Sequence, residues 1–211
     1  MKNITLALLT IFCLFSCKQK QKKKNTFSLD YIKNGNELSL IFENNTSQNI
    51  IFPVPNTLHF GDTKTKSFTS IREGEGFPPI TVYAVIEPNK SSKLYQKKLD
   101  SIRDNYFLKK GMSDVIKEIK PEDENTILYL KAHKIMIVKF DLTIKQGIHQ
   151  EYSSKFKQNY YPYNKVLKGN YPEGEYLRRF SKLNFGKAKF MAQPVIEDSL
   201  FLNISQNDAN K

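Results

Sequence analysis

Tryptophan is missing from this 211-residue chain, cysteine occurs twice and histidine three times. Each scarcity closes a class of chemistry. Cys13 and Cys17 both precede the first lysine run, so the body of the chain has no thiol for a disulfide, a thiolate metal site or a cysteine nucleophile. His59, His133 and His149 have no second His or Cys at ligand spacing, and no metal site or cofactor is expected. No Gly-x-Ser-x-Gly elbow and no phosphate-cradling glycine loop is present, and Gly74-Glu75-Gly76 before Pro78-Pro79 reads as a turn. No apolar run reaches the roughly 20 residues a spanning helix needs. What is present is a globular composition, 39% hydrophobic and 26% charged, with its aromatic content in Phe and Tyr. That is enough to bury a core by packing alone.

The longest apolar stretch, Ile4 to Phe15, follows Lys2 and ends in Leu14-Phe15-Ser16-Cys17. Its length and flanks are those of a signal sequence. Leu14 is too bulky for the small-residue site of ordinary signal peptidase. Leu14-Phe15-Ser16-Cys17 resembles a bacterial lipobox instead, which implies that Cys17 receives a diacylglycerol, that the signal is cut before it and that the new amine is acylated. Residues 1–16 are then a lipoprotein signal peptide, residues 17–25 a lipidated cysteine and basic tether, and residues 26–211 a single domain. Two or three acyl chains, at about 0.8 kcal/mol per buried methylene, make a lasting membrane tether. The body composition resembles lipoproteins of AT-rich Bacteroidota, where an acidic stretch after the cysteine marks export to the surface. Here that stretch is "KQKQKKKN", so an outer-membrane lipoprotein facing the periplasm is expected.

The formal charge of +12 is partly a property of this leader, because the first 24 residues hold six lysines and no acid. The remaining +6 is spread from Lys64 to Lys189. Export removes the usual nucleic-acid partner, and no nucleic-acid binding is expected. The tether lysines read both as a solvated spacer and as a contact for anionic headgroups.

From residue 26 the chain reads mainly as strands. Phe27, Leu29 and Tyr31 alternate, Asn34-Gly35-Asn36 supplies a turn, and Leu38, Leu40 and Phe42 alternate again, which is the pattern of a hairpin. "NIIFPV", "TLHF", "KSFTSIRE" and "ITVYAVIE" follow between Asn, Gly, Pro and Asp clusters, and Pro53 and Pro55 suggest an edge or a strand end. "TILYLKA", "IMIVKFDLTI" and "DSLFLNI" are expected as central strands. Tyr95, Leu99, Ile102 and Tyr106 instead recur at helical spacing between a serine pair and Lys109-Lys110-Gly111, and a short helix follows from Ser113 to the residues before Pro121. The expectation is a mainly β fold, an antiparallel sandwich with a helical insertion over about residues 92–120. The basic face of that insertion, Lys93, Lys97, Lys98, Arg103, Lys109 and Lys110, reads first as solvated surface.

"LSLIFENNTSQNIIFP" is similar to the strand-turn-strand opening of small bacterial immunoglobulin-like domains, and "YPEGEYLRRF" resembles the segment where such domains deliver a tyrosine at the start of a late strand. The resemblance implies an immunoglobulin-like β-sandwich in which Tyr176 forms a tyrosine corner. It implies a fold and not an activity.

Chemistry is sparse. "PEDEN", residues 121–125, clusters three acids without the spacing of a calcium loop. Tyr160, Tyr161, Tyr163 and Tyr171 interleave with Lys165, Lys168, Arg178 and Arg179. That mixture is either a platform for an envelope protein or glycan, or an irregular connection pinned by its own tyrosines. Two functions stay open. One is a lipid-anchored, non-enzymatic envelope binding module, one form of which is an inhibitor or immunity-type protein. The other is an envelope hydrolase with dispersed catalytic residues, which a pocket of converging carboxylates would favour.

Overall fold

The computed structural model describes residues 26–60, 80–86, 89–120, 124–143, 152–156, 163–196 and 200–204, and it is sheet-rich. Alternation builds the largest sheet. In β1 (Phe27–Asn34) and β2 (Glu37–Asn44), Phe27, Leu29, Leu38, Leu40 and Phe42 point to one side and are buried. Gly35, at φ 57°, closes the hairpin in the left-handed region that glycine enters without steric cost. Strand β3 (Asn49–Pro55) leaves for a second sheet, and β4 (Thr57–Phe60), β5 (Ile80–Ala84) and β7 (Ile135–Thr143) complete the first together with β10 (Val195–Ile196). The order is β10-β1-β2-β7-β5-β4.

The second sheet sets β3 between β6 (Asn125–Leu130) and β9 (Ala188–Phe190). Its interior strand is covered on both faces, which is why Ile50 to Val54 are buried without alternation. On one face the Phe52 ring meets Phe27 and Phe42 of the first sheet at centroid distances of 4.7 and 4.9 Å. On the other, Tyr129 and Phe190 stand in register with Ile51. Tyr129 stacks on Tyr95 of helix α1 (Lys90–Lys109), and Phe190 meets Phe180 of the helix Pro172–Ser181. Helix α2 (Ser113–Glu118) follows α1, α3 (Tyr163–Lys168) precedes Pro172–Ser181, here α4, and β8 (Tyr152–Phe156) pairs with β11 (Leu200–Ile204) in a two-stranded sheet. None of the described helices is long and apolar enough to cross a membrane.

Helix α1 does more than cover a face. It runs antiparallel to β6 along that strand's open edge, where the Ile127 N–H donates to Gln96 Oε1 at 2.7 Å and the Tyr129 N–H to Ser92 Oγ at 2.9 Å. Two residues of strand advance about 6.6 Å and four of helix about 6 Å, so one helix face meets alternate strand donors. The helix starts at Asn89, whose side chain accepts from the Ser92 N–H, so the serine pair lies inside the first turn. It ends as expected, with Gly111 at φ 71° and the Met112 N–H returning to the Phe107 carbonyl. Fully buried Asn44 ties the two sheets: its amide donates to the carbonyls of Gln48, Leu130 and Lys131, and its oxygen accepts from Thr46.

Several expectations are corrected. The two larger sheets are mixed rather than wholly antiparallel, because β10 joins β1 and β9 joins β3 in parallel, while every other pairing among the described strands is antiparallel. The helical insertion is where it was expected, α1 and α2 lying between β5 and β6 in the chain, but it packs against the second sheet together with α4, a segment expected as a strand. Of the strands expected to be central, β7 lies inside its sheet, but β6 is at an edge and β11 pairs with β8 in the two-stranded sheet. The expectation for Pro53 and Pro55 holds: Pro55 ends β3, and both lie beyond Asn49–Ile51, where β9 no longer pairs and that side of the strand is an edge. "YPEGEYLRRF" is helical: Pro172 occupies the first turn, where its missing donor costs nothing. Gly174 is there for closeness, since a Cβ would overlap the Val166 carbonyl of α3. Tyr176 is therefore a helix residue and not a tyrosine corner. The "KSFTSIRE" strand lies outside the described residues.

Candidate functional site

A cleft of about 400 Å³ opens where α1, α2, the start of α4 and the start of β6 meet. That volume falls within the range of small-molecule sites. Its apolar wall is supplied by Leu99 and Phe107 of α1 with Val115 of α2 and Ile119 just beyond it. Leu99 and Phe107 belong to the buried stripe of α1, while α2 has no buried residue, so the outer wall is a short and lightly held helix.

The polar wall is more fully built. Arg103, its side chain 15% exposed, reaches Glu124 through Nη1, Asp104 through Nε at 3.0 Å and Asp100 at 3.5 Å. A cation from the expected solvated face is thus a largely buried hub linking α1 to the residue just before β6. Beside it the Tyr163 hydroxyl donates to Asn125 Oδ1, and Asn125 Nδ2 donates to Glu173 Oε1 at 2.8 Å. Burial pushes the Glu173 carboxyl above the usual carboxylate range, and the Asn125 donor opposes that only in part. Burial likewise raises the Tyr176 phenol, helped by the neighbouring Glu173 charge, so Tyr176 meets the cleft as a neutral hydroxyl. By contrast Glu175, outside the cleft, is exposed and held low by Arg178 and Arg179.

The tyrosines grouped by sequence do different things. Tyr163 is 1% exposed and pins α3 to Asn125, whereas Tyr171 is 67% exposed at the cleft mouth. Tyr160 and Tyr161 lie outside the described residues, as do Cys17 and His149. Exposed His133 sits in a turn at φ 56°, and His59 is in β4. Within "PEDEN", Glu124 and Asn125 serve the cleft, while residues 121–123 are outside the described set. Among the described residues no group of three His, Cys, Asp or Glu is placed to hold a metal ion.

Arg103, Glu124, Asn125, Glu173 and Tyr176 were not legible as one site, because they come from three separate stretches with no shared spacing. The signals were partial: an acid cluster at 121–125 and an arginine among lysines on α1. Chemically the cleft offers apolar contact, a neutral hydroxyl, a carboxyl whose ionisation burial opposes and an ion-paired carboxylate, with an exposed aromatic at the rim. That set suits a ligand with an apolar body and hydrogen-bonding or cationic groups. No protein-family model matches the chain, and no curated protein or solved structure matches it.

Proposed function

We propose that this chain is a lipid-anchored, non-enzymatic binding module of the bacterial envelope, tethered through Cys17, with an immunoglobulin-like sandwich as its body and the α1/α2/α4 cleft as its ligand site. The carrying observation is the cleft itself: an apolar wall facing a polar wall whose side chains are already fixed by Arg103, Asn125 and Tyr163. Such preorganisation favours binding, because few rotamers remain to be ordered by a ligand. Tyr171 takes the place of the wider tyrosine platform as the rim contact. An envelope protein segment or a glycan fits this reading, and an inhibitor or immunity-type role is one form of it.

The supporting experiment is capture from solubilised envelope by wild type and by Val115→Glu. Val115 lines the cleft from a helix with no buried residue, so the substitution obstructs the site with little effect on the core. Loss of a specific wild-type partner is expected, and undiminished capture would remove the cleft from the reading.

One observation favours the hydrolase as a second reading. Glu124 and Glu173 line the same cleft, one ion-paired to Arg103 and the other held by Asn125 in a more buried setting, and two carboxyls in unlike surroundings are the groups that general acid–base hydrolysis uses. Glycan or peptide hydrolysis lost in both Glu124→Gln and Glu173→Gln would decide for it. The binding module is preferred because both carboxyls are already engaged by the protein.

A further inference from the structure

The strand register places the start of the domain at a basic pole. The chain enters at Thr26, whose carbonyl accepts from the Asn45 N–H, while the Asn44 N–H donates to the Lys134 carbonyl. Entry is therefore adjacent to the turn from Lys131 to Lys134. Asn49, at the start of β3, accepts from the Ala132 N–H and pairs with Ala188, which brings Lys187 and Lys189 to the same end. The Asn89 amide reaches the Tyr129 carbonyl, so Lys90 and Lys93 in the first turn of α1 join them. All six of these lysines are exposed. Among the described acids, Glu43 is the one this register brings to the pole, through its pairing with Ile135.

The cleft lies at the other end. From Lys90 to Arg103 the helix advances about 20 Å, and from Leu130 to Asn125 the strand covers roughly 17 Å. Charge there is mixed, with Arg103 and Lys117 facing Asp100, Asp104, Asp114 and Glu124. We infer that the basic pole is a docking surface for an anionic lipid membrane, which seats the domain upright with its cleft directed away from the bilayer.

Two features select this occupant. The pole is continuous with the tether, since Cys17 lies nine residues before Thr26, within about 30 Å even fully extended. Tether and pole also carry the same sign of charge, and lysines attract acidic headgroups once within a Debye length, about 8 Å at physiological ionic strength. The inference rests on the membrane-tether part of the proposed function and is independent of what the cleft binds.

The test is lysine acetylation footprinting of the full lipidated chain on vesicles of phosphatidylcholine alone and of phosphatidylcholine with phosphatidylglycerol. Lys131, Lys134, Lys187 and Lys189 should be acetylated several-fold more slowly on the anionic vesicles at low salt, with the difference lost at high salt, while Lys109 and Lys117 react equally on both. Equal protection of the two sets, or the same pattern on neutral vesicles, overturns the inference. Retention on neutral vesicles at high salt reads the acyl anchor separately, so a chain lacking the lipid is distinguished from a pole that does not dock. Charge reversal by Lys131→Glu with Lys189→Glu should abolish the protection at Lys134 and Lys187, and protection that persists there also overturns it.

Discussion

Replacing Gln96 by Met tests whether helix α1 holds the second sheet by completing its edge. The substitution keeps the length and volume of the side chain but removes the oxygen that accepts from the Ile127 N–H at 2.7 Å. Ile127 is 0% exposed, so water cannot take over as acceptor, and a buried orphaned donor costs about 1–3 kcal/mol. At roughly 2–4 °C per kcal/mol for a domain of this size, melting should fall by about 2–12 °C. Ser92→Ala orphans the Tyr129 N–H in the same way. Because both acceptors stand on one helix face, the double variant should cost less than the sum, since a helix released at one point adjusts at the other. It should also associate through the exposed strand edge. Lys97→Ala on the exposed side is the control, expected within about 0.5 kcal/mol. Urea unfolding followed by circular dichroism measures all four. Loss of less than about 0.5 kcal/mol in both single variants would show that the edge does not depend on these acceptors.

Asn44→Ala should destabilise by about 3 kcal/mol, from several bonds each worth about 1 kcal/mol, and Asn44→Asp should be worse in urea unfolding because it turns a buried charge toward the carbonyls of Gln48, Leu130 and Lys131. Tyr163→Ala should cost about 3–5 kcal/mol by thermal melting as a buried aromatic, while Tyr171→Ala stays within about 0.5 kcal/mol; equal effects would erase the distinction between pin and rim. Glu173 has its folded-state pKa raised, so the folded state favours its neutral form and stability declines as pH rises from the ordinary carboxylate range through the raised value. Glu173→Gln removes that titration: its melting temperature should exceed wild type at pH 8 and match it near pH 4, and a gain confined to acid pH would reverse the sign.

How much of this was legible depends on the range of the interaction. The β1–β2 hairpin follows from alternation around Gly35, and α1 from Tyr95, Leu99 and Ile102 with Gly111 at its end, because both patterns are local. Strand β7 was readable from Val138, Phe140 and Leu142, buried at alternate positions. The misreadings concern context. Pro-Glu-Gly-Glu looks like a turn, yet Pro172 suits a helix start and Gly174 is required by the approach of α3. The place of β6 at an edge depends on Gln96 and Ser92, some thirty residues upstream, and the sequence marks neither as an acceptor for a strand. The cleft was hidden for the same reason: Arg103, Glu124 and Glu173 become neighbours only when α1 and α4 lie on one sheet.

The most direct measurement is photo-crosslinking in living cells from a benzoylphenylalanine placed at Tyr171, with the same group at exposed Ile137 on the far face of the first sheet as reference. A binding module working through the cleft should give a discrete adduct from Tyr171, absent from Ile137 and lost when Val115→Glu is added. Adducts identical from the two positions, or a Tyr171 adduct that survives Val115→Glu, would contradict the assignment of the cleft as the binding site.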